Sequence, residues 1–137
     1  MSDHQRLEPP QSELTAPFWD ATRERRLLVQ WCLECDAAVF YPREVCPGCL
    51  GERLEWRASP GTGTIHAVTV EHRAQQPGLA SLVPYAVVLV DLDEGIRLLS
   101  TVVHAAPDQV VIGRRVVVGW EPLSDGRHLP VFELAKP

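Results

Sequence analysis

The pattern of apolar and polar positions changes near Pro60. Before this point the apolar runs are short, whereas after it five apolar segments are separated by turns rich in glycine, proline and aspartate. Segments of this kind are typical of β-strands. We therefore predict strands over residues 63–73, 84–92, 96–103, 115–121 and 130–135. Five short strands in a region of about 75 residues predict a small barrel of the OB type.

Two of these strands carry more detailed predictions. Residues 85–90 are apolar on both faces, as expected for a strand that lines a closed barrel and is also covered outside. The strand over residues 63–73 alternates, which predicts His66 and Val68 on one side and Ile65 and Ala67 on the other. Residues 93–95 form a three-residue hairpin loop in which Gly95 supplies the left-handed position.

The region before Pro60 is organised differently. A flexible arm extends to Gln11, and a short helix follows over residues 16–25, with Thr15 as its N-cap and Pro17 in its first turn. Because so short a helix is unstable alone, Phe18 and Trp19 must anchor it, either to the protein's own core or to a partner. Strands over residues 27–31 and 54–57 then flank the cysteines. The predicted units are an arm and helix (1–26), a ribbon (27–58) and a barrel (59–137), a mainly β architecture.

The cysteines carry the most specific chemical signal. They occur as two Cys-x-x-Cys pairs separated by ten residues, namely Cys32 and Cys35, then Cys46 and Cys49. Two such turns bring four thiolates to one ion and predict a zinc ribbon with one structural Zn²⁺ per chain. All four coordination positions are then filled by protein, which leaves none for water or substrate, so we predict no catalytic role. Iron is the alternative metal, because Cys-Pro-Gly-Cys also resembles a rubredoxin turn, although rubredoxin-like sites usually have a longer separation between the pairs.

Charge and composition narrow the function classes. The formal net charge is −5, with no basic half and no polybasic strip, which argues against binding to nucleic acid or to an anionic membrane. The amino terminus has no apolar run typical of a signal peptide, and no stretch has the length of a membrane span. We therefore expect a cytoplasmic protein, where closely spaced cysteines are metal ligands more often than disulfides.

Ordered motifs along the chain resemble a family of zinc-ribbon/OB-fold proteins associated with acyl-CoA enzymes. They extend over residues 18–132 and comprise the two Cys-x-x-Cys pairs with Phe40-Tyr41-Pro42-Arg43 between them, Trp56, Gly61-x-Gly63-Thr64-Ile65, Pro84-Tyr85-Ala86-Val87, residues 90–97 and Leu129-Pro130-Val131-Phe132. Asp36, Tyr41 and Leu50-Gly51 depart from the residues usual in that family at those positions, but no metal ligand is lost.

The resemblance implies an N-terminal helix, a rubredoxin-like zinc ribbon and an OB barrel. It also implies that the chain is a non-catalytic accessory subunit of a thiolase-superfamily acyl-CoA enzyme, such as a thiolase, hydroxymethylglutaryl-CoA synthase or an aldolase of steroid side-chain degradation; other members associate with hydratases. Such a subunit shapes the acyl-CoA channel, while the partner carries the catalytic groups. Candidate positions for CoA or for the partner interface are Phe18, Trp19, Arg43, Arg73, Leu79, Leu82 and Arg97.

Alternatives stand beside several of these predictions. Asp91, Asp93 and Glu94 could form a carboxylate cluster but are more simply a solvated hairpin tip, and the arginines could be ordinary exposed side chains. His66, His72 and His104 have no nucleophile pattern nearby, so we expect ordinary strand histidines. The loop over residues 75–83 either packs over the barrel mouth or forms a surface for a partner or an acyl chain.

Two other functions compete with the accessory subunit. A stand-alone acyl-CoA-binding protein would bind CoA thioesters in calorimetry without an enzyme partner. A single-stranded nucleic-acid-binding OB protein needs a basic groove with aromatic stacking platforms. The barrel region offers only Tyr85, Trp120 and Phe132 as aromatic residues and is negatively charged, which disfavours this function.

Overall fold

The structure is a computed structural model that describes residues 7–74 and 77–136. The first six residues of the predicted arm, and Gln75 and Gln76 of the predicted loop, lie outside this range. The described residues form one α-helix and eight β-strands: α1 (Ala16–Thr22), β1 (Leu28–Cys32), β2 (Ala37–Val39), β3 (Leu54–Ala58), β4 (Thr62–Glu71), β5 (Tyr85–Leu92), β6 (Arg97–Ser100), β7 (Arg115–Pro122) and β8 (His128–Leu134). Short 3₁₀ turns occur at Pro77–Leu79 and Pro107–Gln109.

Helix α1 begins as predicted but is capped differently. Pro17 lies in its first turn, where a missing N–H costs nothing. The prediction for the Thr15 side chain is wrong, because Thr15 Oγ1 makes no capping bond and instead accepts the Ser12 N–H at 3.0 Å. The helix ends at Thr22, whose hydroxyl donates back to the Trp19 carbonyl at 2.6 Å. Competition of this kind between side chain and backbone favours helix ends.

The ribbon is a three-stranded antiparallel sheet in the order β2-β1-β3. The sequence pattern did not predict β2, since three residues are too few to show a period. A buried amide fixes the loop after β2: Gln30 Oε1 accepts the Arg43 N–H at 2.7 Å, and Gln30 Nε2 donates to the Arg43 carbonyl at 2.9 Å. Both polar ends of this buried side chain are therefore satisfied.

The C-terminal sheet has five antiparallel strands in the order β6-β5-β4-β7-β8, which confirms the predicted five-stranded OB architecture. The sheet curls until the segment after β6 meets β8 through one parallel bridge between Val102 and Phe132. Strand β6 ends at Ser100, so the predicted third strand is shorter than residues 96–103. The loop before it agrees with prediction, since Gly95 has φ of +101°.

A β-bulge changes the predicted faces of β4. Ile65 pairs with Val90 and Ala67 pairs with Leu89. Two consecutive residues of β5 therefore face two β4 residues that are separated by His66, which is the extra residue of the bulge. Ile65 is buried and Val68 packs against the same core, whereas His66 is exposed. The prediction that His66 and Val68 share a side, opposite Ile65, is therefore wrong, because the bulge reverses the alternation.

The helix, the first ribbon strand and the barrel share one hydrophobic core. It contains Phe18 and Trp19 of α1, Leu27 and Val29 from the start of the ribbon, and barrel residues around the fully buried Phe132. Gly61 joins ribbon to barrel with φ of +72°, and a Cβ there would lie 2.3 Å from Val118 Cγ1. Only glycine fits this junction without displacing the neighbouring strand. Among residues 7–74 and 77–136, no helix has the length and apolar character that crossing a membrane requires.

Candidate metal centre and surrounding surfaces

The four cysteines converge on one point at the end of the ribbon. Their Sγ atoms all lie within 4.8 Å of one another, and the Sγ–Sγ distances are 3.6 Å both for Cys32–Cys49 and for Cys35–Cys46. Four sulfurs at the zinc–sulfur distance of about 2.3 Å in a tetrahedron are about 3.8 Å apart. The arrangement therefore has the dimensions of a tetrahedral tetrathiolate site.

Tight turns in the backbone aim N–H groups at these sulfurs. The Cys35 N–H points at Cys32 Sγ at 3.5 Å, the Gly48 N–H at Cys46 Sγ at 3.4 Å, and the Gly51 N–H at Cys49 Sγ at 3.4 Å. Such donors stabilise thiolates, the form that binds metal. Strand β1 delivers Cys32 into this cluster fully buried, and Cys46 is buried beside it.

The protonation of the thiols reflects how closely they are packed. Backbone hydrogen bonds from Cys49 and Gly48 lower the pKa of Cys46 to about 7. Hydrogen bonds with Cys46 and Cys32 raise the pKa of Cys35 to about 12. A divalent ion would remove this competition for protons, because each bound sulfur is deprotonated.

Two family departures lie where the turns need a left-handed backbone. Asp36 has φ of +55° and Leu50 has φ of +63°. Aspartate tolerates this region, and here its carboxylate accepts the Trp31 indole N–H at 2.9 Å. Leu50 is 73% exposed, so its side chain gains little packing in return for the strained backbone. The ribbon thus keeps its turns despite both departures.

The all-sulfur donor set limits which metals fit. Tetrahedral thiolate sites are typical of zinc or of iron–sulfur centres, and four protein ligands close the coordination sphere. The cluster has the features of a structural site, with two buried sulfurs and N–H donors aimed at the ligands. No substrate atom could reach a metal held there without displacing a cysteine.

The predicted interface residues of α1 lie mostly inside the protein. Phe18 and Trp19 are 6% and 7% exposed, and their rings meet edge to face at a centroid distance of 5.0 Å. The first alternative, anchoring on the protein's own core, is thus the one observed. Their remaining surface lines an apolar groove of about 310 Å³ between helix, ribbon and barrel, whose other walls include Phe40, Tyr41, Leu98, Leu99 and Leu129.

The three candidate arginines do not come together in one site. Arg97 is held by Asp91 through a bidentate ion pair, with an Nε–Oδ1 distance of 2.6 Å and an Nη2–Oδ2 distance of 3.2 Å. Arg43 and Arg73 are exposed, on the ribbon loop and after the end of β4 respectively. Within the described residues neither of their side chains forms a hydrogen bond or ion pair. An arginine already paired with a carboxylate is a weaker candidate for a phosphate than a free one.

The acidic hairpin is a set of ion pairs. Hydrogen bonds from Arg97 lower the pKa of Asp91, and hydrogen bonds from Arg115 and Thr62 lower the pKa of Asp93 to about 2. Glu94 differs from the predicted solvated tip, because both its carboxylate oxygens are shielded from water and accept no hydrogen bond from any described residue. Asp91, Asp93 and Glu94 therefore do not share a partner and do not form the carboxylate cluster considered above.

The three candidate histidines His66, His72 and His104 are exposed, and two of them have charged neighbours. His66 Nδ1 lies 3.4 Å from Asp91 Oδ2 and 3.1 Å from Arg97 Nη2, and His104 Nδ1 lies 3.2 Å from Glu133 Oε1. His72 is exposed just after β4. Within the described residues none of the three hydrogen-bonds to a serine, threonine or cysteine that could act as a nucleophile.

The predicted loop contributes to a second concavity at the barrel end. Leu79 and Leu82 line a cavity of about 510 Å³ together with Tyr85, Trp120 and Val131. Leu82 is 49% exposed, so the loop only partly covers the barrel mouth. Among the described residues, none that lines this cavity also lines the groove beside α1.

Several contacts between helix, ribbon and barrel were not predicted. Tyr41 Oη accepts the Leu99 N–H at 3.1 Å, which caps the outer edge of β6 with a ribbon side chain. Thr22 Oγ1 accepts the His128 N–H at 3.1 Å, and Arg127 stacks over the Trp19 ring at 4.8 Å. In the sequence, the contact of Tyr41 was indicated only by the fact that tyrosine departs from the residue usual in the family at this position.

Comparison with known families accounts for most of the chain. Residues 19–55 match the family described as "ChsH2, rubredoxin-like zinc ribbon domain". Residues 56–121 match the family described as "ChsH2, C-terminal OB-fold domain". The two matches are contiguous and in the order of the observed ribbon and barrel.

Similar proteins come from bacteria and archaea. A "Probable enoyl-CoA hydratase alpha subunit" of Thermomonospora curvata is 36% identical over 88% of this chain, which spans only 37% of that protein's length. A "DUF35 domain-containing scaffold protein" of Methanocaldococcus jannaschii is 30% identical over 72% of this chain and 70% of its own.

A solved structure agrees with the fold and with these relatives. The protein titled "Ltp2-ChsH2(DUF35) aldolase" superposes with a TM-score of 0.83 at 33% sequence identity, covering 94% of this chain and 100% of that chain. The predicted resemblance to acyl-CoA-associated zinc-ribbon/OB-fold proteins is therefore confirmed. The chain belongs to the DUF35/ChsH2 family of rubredoxin-like zinc-ribbon and OB-fold proteins.

Proposed function

We propose that this chain is a non-catalytic accessory subunit that binds and activates a thiolase-superfamily acyl-CoA enzyme. The partner would make or break a carbon–carbon bond next to a thioester, as an aldolase or thiolase does. The observation that carries the proposal is the similarity, along the whole length of its chain, to the protein described as "Ltp2-ChsH2(DUF35) aldolase".

The chemistry of the described residues supports a non-catalytic role. The four cysteines that would bind a metal leave no open coordination position. The exposed His66 and His104 face carboxylates, and the acidic hairpin residues Asp91 and Asp93 are paired with arginines. We propose that Cys32, Cys35, Cys46 and Cys49 hold one zinc ion, which gives the ribbon a fixed shape for docking.

The groove beside α1 is the surface through which we expect the partner to bind. It joins helix, ribbon and barrel, and its rim includes Leu99, which is 60% exposed. Apolar concavities of this kind, rimmed by exposed apolar side chains, are typical of protein interfaces. Arg43 and the described part of the loop, with Leu79 and Leu82, would border the shared acyl-CoA channel.

Co-expression with a thiolase-superfamily enzyme from the same genome tests the proposal. We expect the two chains to co-purify in a fixed ratio and the enzyme to turn over its acyl-CoA substrate faster in the complex than alone. Leu99→Asp should weaken association about tenfold or more, which is about 1.4 kcal/mol. Ile112→Asp is the matched control, because Ile112 is 67% exposed but does not line the groove.

An enzyme that is equally soluble and active without this chain would contradict the proposal. If the chain instead co-purifies with a hydratase subunit and accelerates hydration, the accessory role stands and the reaction class changes.

A further inference from the structure

The segment Tyr41-Pro42-Arg43 joins an aromatic ring and a cation on the ribbon side of the groove beside α1. Tyr41 and Pro42 line the groove, and Arg43 is the next residue of the chain. Tyr41 is 49% exposed and Arg43 is exposed as well, so both side chains are accessible to another molecule. Tyrosine and arginine are among the residues that contribute most to the binding energy of protein interfaces.

Contacts with the rest of the protein hold both ends of this segment. Tyr41 Oη accepts the Leu99 N–H of β6 at 3.1 Å. The buried amide of Gln30 accepts the Arg43 N–H at 2.7 Å and donates to the Arg43 carbonyl at 2.9 Å. Pro42 lies between these two anchors and restricts the backbone further. The two side chains are therefore presented by an ordered backbone, and a surface that is ordered in advance loses less entropy when it binds.

The ring of Tyr41 is the outermost of four aromatic rings in a row. Neighbouring ring centroids along the row Trp19, Phe18, Phe40, Tyr41 are 5.0, 5.7 and 4.6 Å apart. Exposure increases along this row, from the buried rings of α1 to the exposed ring of Tyr41. Leu99, which bonds to Tyr41, also lines the groove and is 60% exposed. The accessible apolar surface of the groove is therefore concentrated where Tyr41 and Leu99 meet.

Charge adds a second element to this surface. The described residues that line the groove include no charged side chain. Within residues 7–74 and 77–136, Arg43 is hydrogen-bonded through its backbone alone, whereas the guanidinium of Arg97 is already held by Asp91. An unpaired guanidinium beside an apolar surface favours a carboxylate, with which it forms strong, charge-assisted hydrogen bonds. Because the chain has a net charge of −5, this cation also gives an acidic segment a preferred place to bind.

We propose that Tyr41 and Arg43 recognise a segment of the enzyme partner in which an apolar side chain is flanked by an aspartate or a glutamate. The apolar side chain packs against Tyr41 and Leu99, and the carboxylate pairs with the Arg43 guanidinium. The inference rests on the proposed function for the existence of the enzyme partner, and it adds the chemistry by which that partner is recognised. Because Tyr41 departs from the residue usual in the family, we expect this site to favour the chain's own partner over the partners of its relatives.

Charge reversal at Arg43 tests the electrostatic part of the site in the full-length, metal-loaded chain. The probe is the acyl-CoA enzyme that co-purifies with the wild-type chain, and calorimetry measures its affinity. Arg43→Glu should weaken binding about tenfold or more, and added salt should reduce the difference from the wild type. Arg114→Glu is the matched control, because Arg114 is also exposed and the net charge changes equally, but Arg114 does not line the groove. It should leave the affinity unchanged.

Two milder variants separate ring, charge and shape. Tyr41→Phe keeps the ring but removes its hydrogen bond to the Leu99 N–H, so we expect binding to weaken by about two- to tenfold. Arg43→Lys keeps the charge but not the planar guanidinium, so its affinity should lie between those of the wild type and Arg43→Glu. Zinc content and thermal melting show whether each variant is folded.

Cross-linking identifies the segment that lies in the groove. A photoreactive p-benzoylphenylalanine in place of Leu99 keeps this position apolar and cross-links it to the enzyme, and mass spectrometry locates the attached residue. We expect an apolar segment with an aspartate or a glutamate within a few residues of the cross-link. Replacing that acidic residue of the enzyme by lysine should restore binding to Arg43→Glu, because the charges of the pair are then exchanged.

Equal affinities of the wild type and Arg43→Glu would overturn the inference while the accessory role stands. A cross-linked segment without an acidic residue, or no recovery of binding after the charges are exchanged, would also overturn it. A wild-type chain with which no acyl-CoA enzyme co-purifies would contradict the proposed function, and the inference would fall with it.

Discussion

The ribbon and the barrel have hydrophobic cores of different kinds. The ribbon's own interior consists of Cys32, Cys46 and Val39, with Leu54 packed against them. The barrel interior is a continuous cluster of aliphatic side chains around Phe132, to which α1 adds two aromatic rings. Apolar burial can stabilise the barrel by itself, whereas so small a cluster cannot stabilise the ribbon.

This difference explains why the two parts tolerate different changes. A ribbon that depends on metal ligands has a shape fixed by four sulfur positions and by the turns that present them. A barrel that depends on packing can leave a large cavity at one end while its core remains closed around Phe132. The proposed docking surface therefore combines the metal-fixed ribbon with the groove that the ribbon shares with the helix and the barrel.

Removing the metal should have the largest effect, and it should separate the two regions. Because metal binding to small zinc ribbons is worth about 10–16 kcal/mol, chelation or Cys46→Ser should unfold the ribbon. Hydrogen exchange should show loss of amide protection in β1–β3, while protection in β4, β5 and β7 largely remains. Elemental analysis should give one zinc per wild-type chain.

Val45→Ser is the control for this experiment, since Val45 is an exposed neighbour of Cys46 that offers no sulfur to the cluster. It should keep its metal and its ribbon. A melting profile that does not change on chelation would contradict the structural role of the site.

A smaller effect of opposite sign is expected at the ribbon tip. Leu50 occupies the left-handed region, which costs a residue with a Cβ about 1–2 kcal/mol. Because its side chain is mostly exposed, Leu50→Gly should raise the free energy of unfolding by about 1 kcal/mol, net of the entropy that glycine loses. Leu33→Gly is the control at an exposed turn position without positive φ, and it should destabilise by about 0.5–1 kcal/mol. Denaturant titration compares them, and equal signs for the two variants would contradict the strain at Leu50.

The smallest effect concerns the barrel surface at acid pH. Arg115 donates to Asp93 at 2.7 and 2.8 Å and lowers the pKa of Asp93 from 3.8 to about 2. A lowered pKa means that the folded state favours the ionised carboxylate, so this stabilisation is present above pH 3.8 and is lost as the pH falls towards about 2. Because both groups are exposed, the effect should be modest and weaker in high salt.

Arg115→Gln should flatten the dependence of stability on pH in that window, as measured by thermal melting between these pH values. Arg114→Gln, a change at the exposed neighbouring arginine, should leave the slope unchanged. Equal slopes for Arg115→Gln and the wild type would show that the pair contributes nothing.

The metal cluster was predictable because its geometry is local. Each Cys-x-x-Cys turn spans four residues, and the backbone alone brings its two sulfurs together. The strands of the barrel were predictable for a similar reason, since alternation and turn residues act over a few positions. The face of β4 on which each side chain lies was not predictable, because the bulge depends on which residue of β5 pairs with each residue of β4.

The contacts of Tyr41 and Phe18 illustrate what a sequence pattern cannot resolve. The pattern left open whether Phe18 packs inside or binds a partner, and the answer required knowing that β8 and the ribbon supply an adjacent apolar surface. Tyr41 bonds to Leu99 across 58 positions of sequence, which no local period records.

By itself, then, the sequence determined the tetrathiolate site, the helix start at Ala16, the hairpin at Gly95 and the five strands of the barrel, since each depends on residues close together in the chain. Only the tertiary structure decided the bulge at His66, the burial of Phe18 and Trp19, the pairing of Arg97 with Asp91, and the cavity behind Leu82. These features arise where segments distant in sequence meet, and their packing and charge pairing exist only once the sheet has curled.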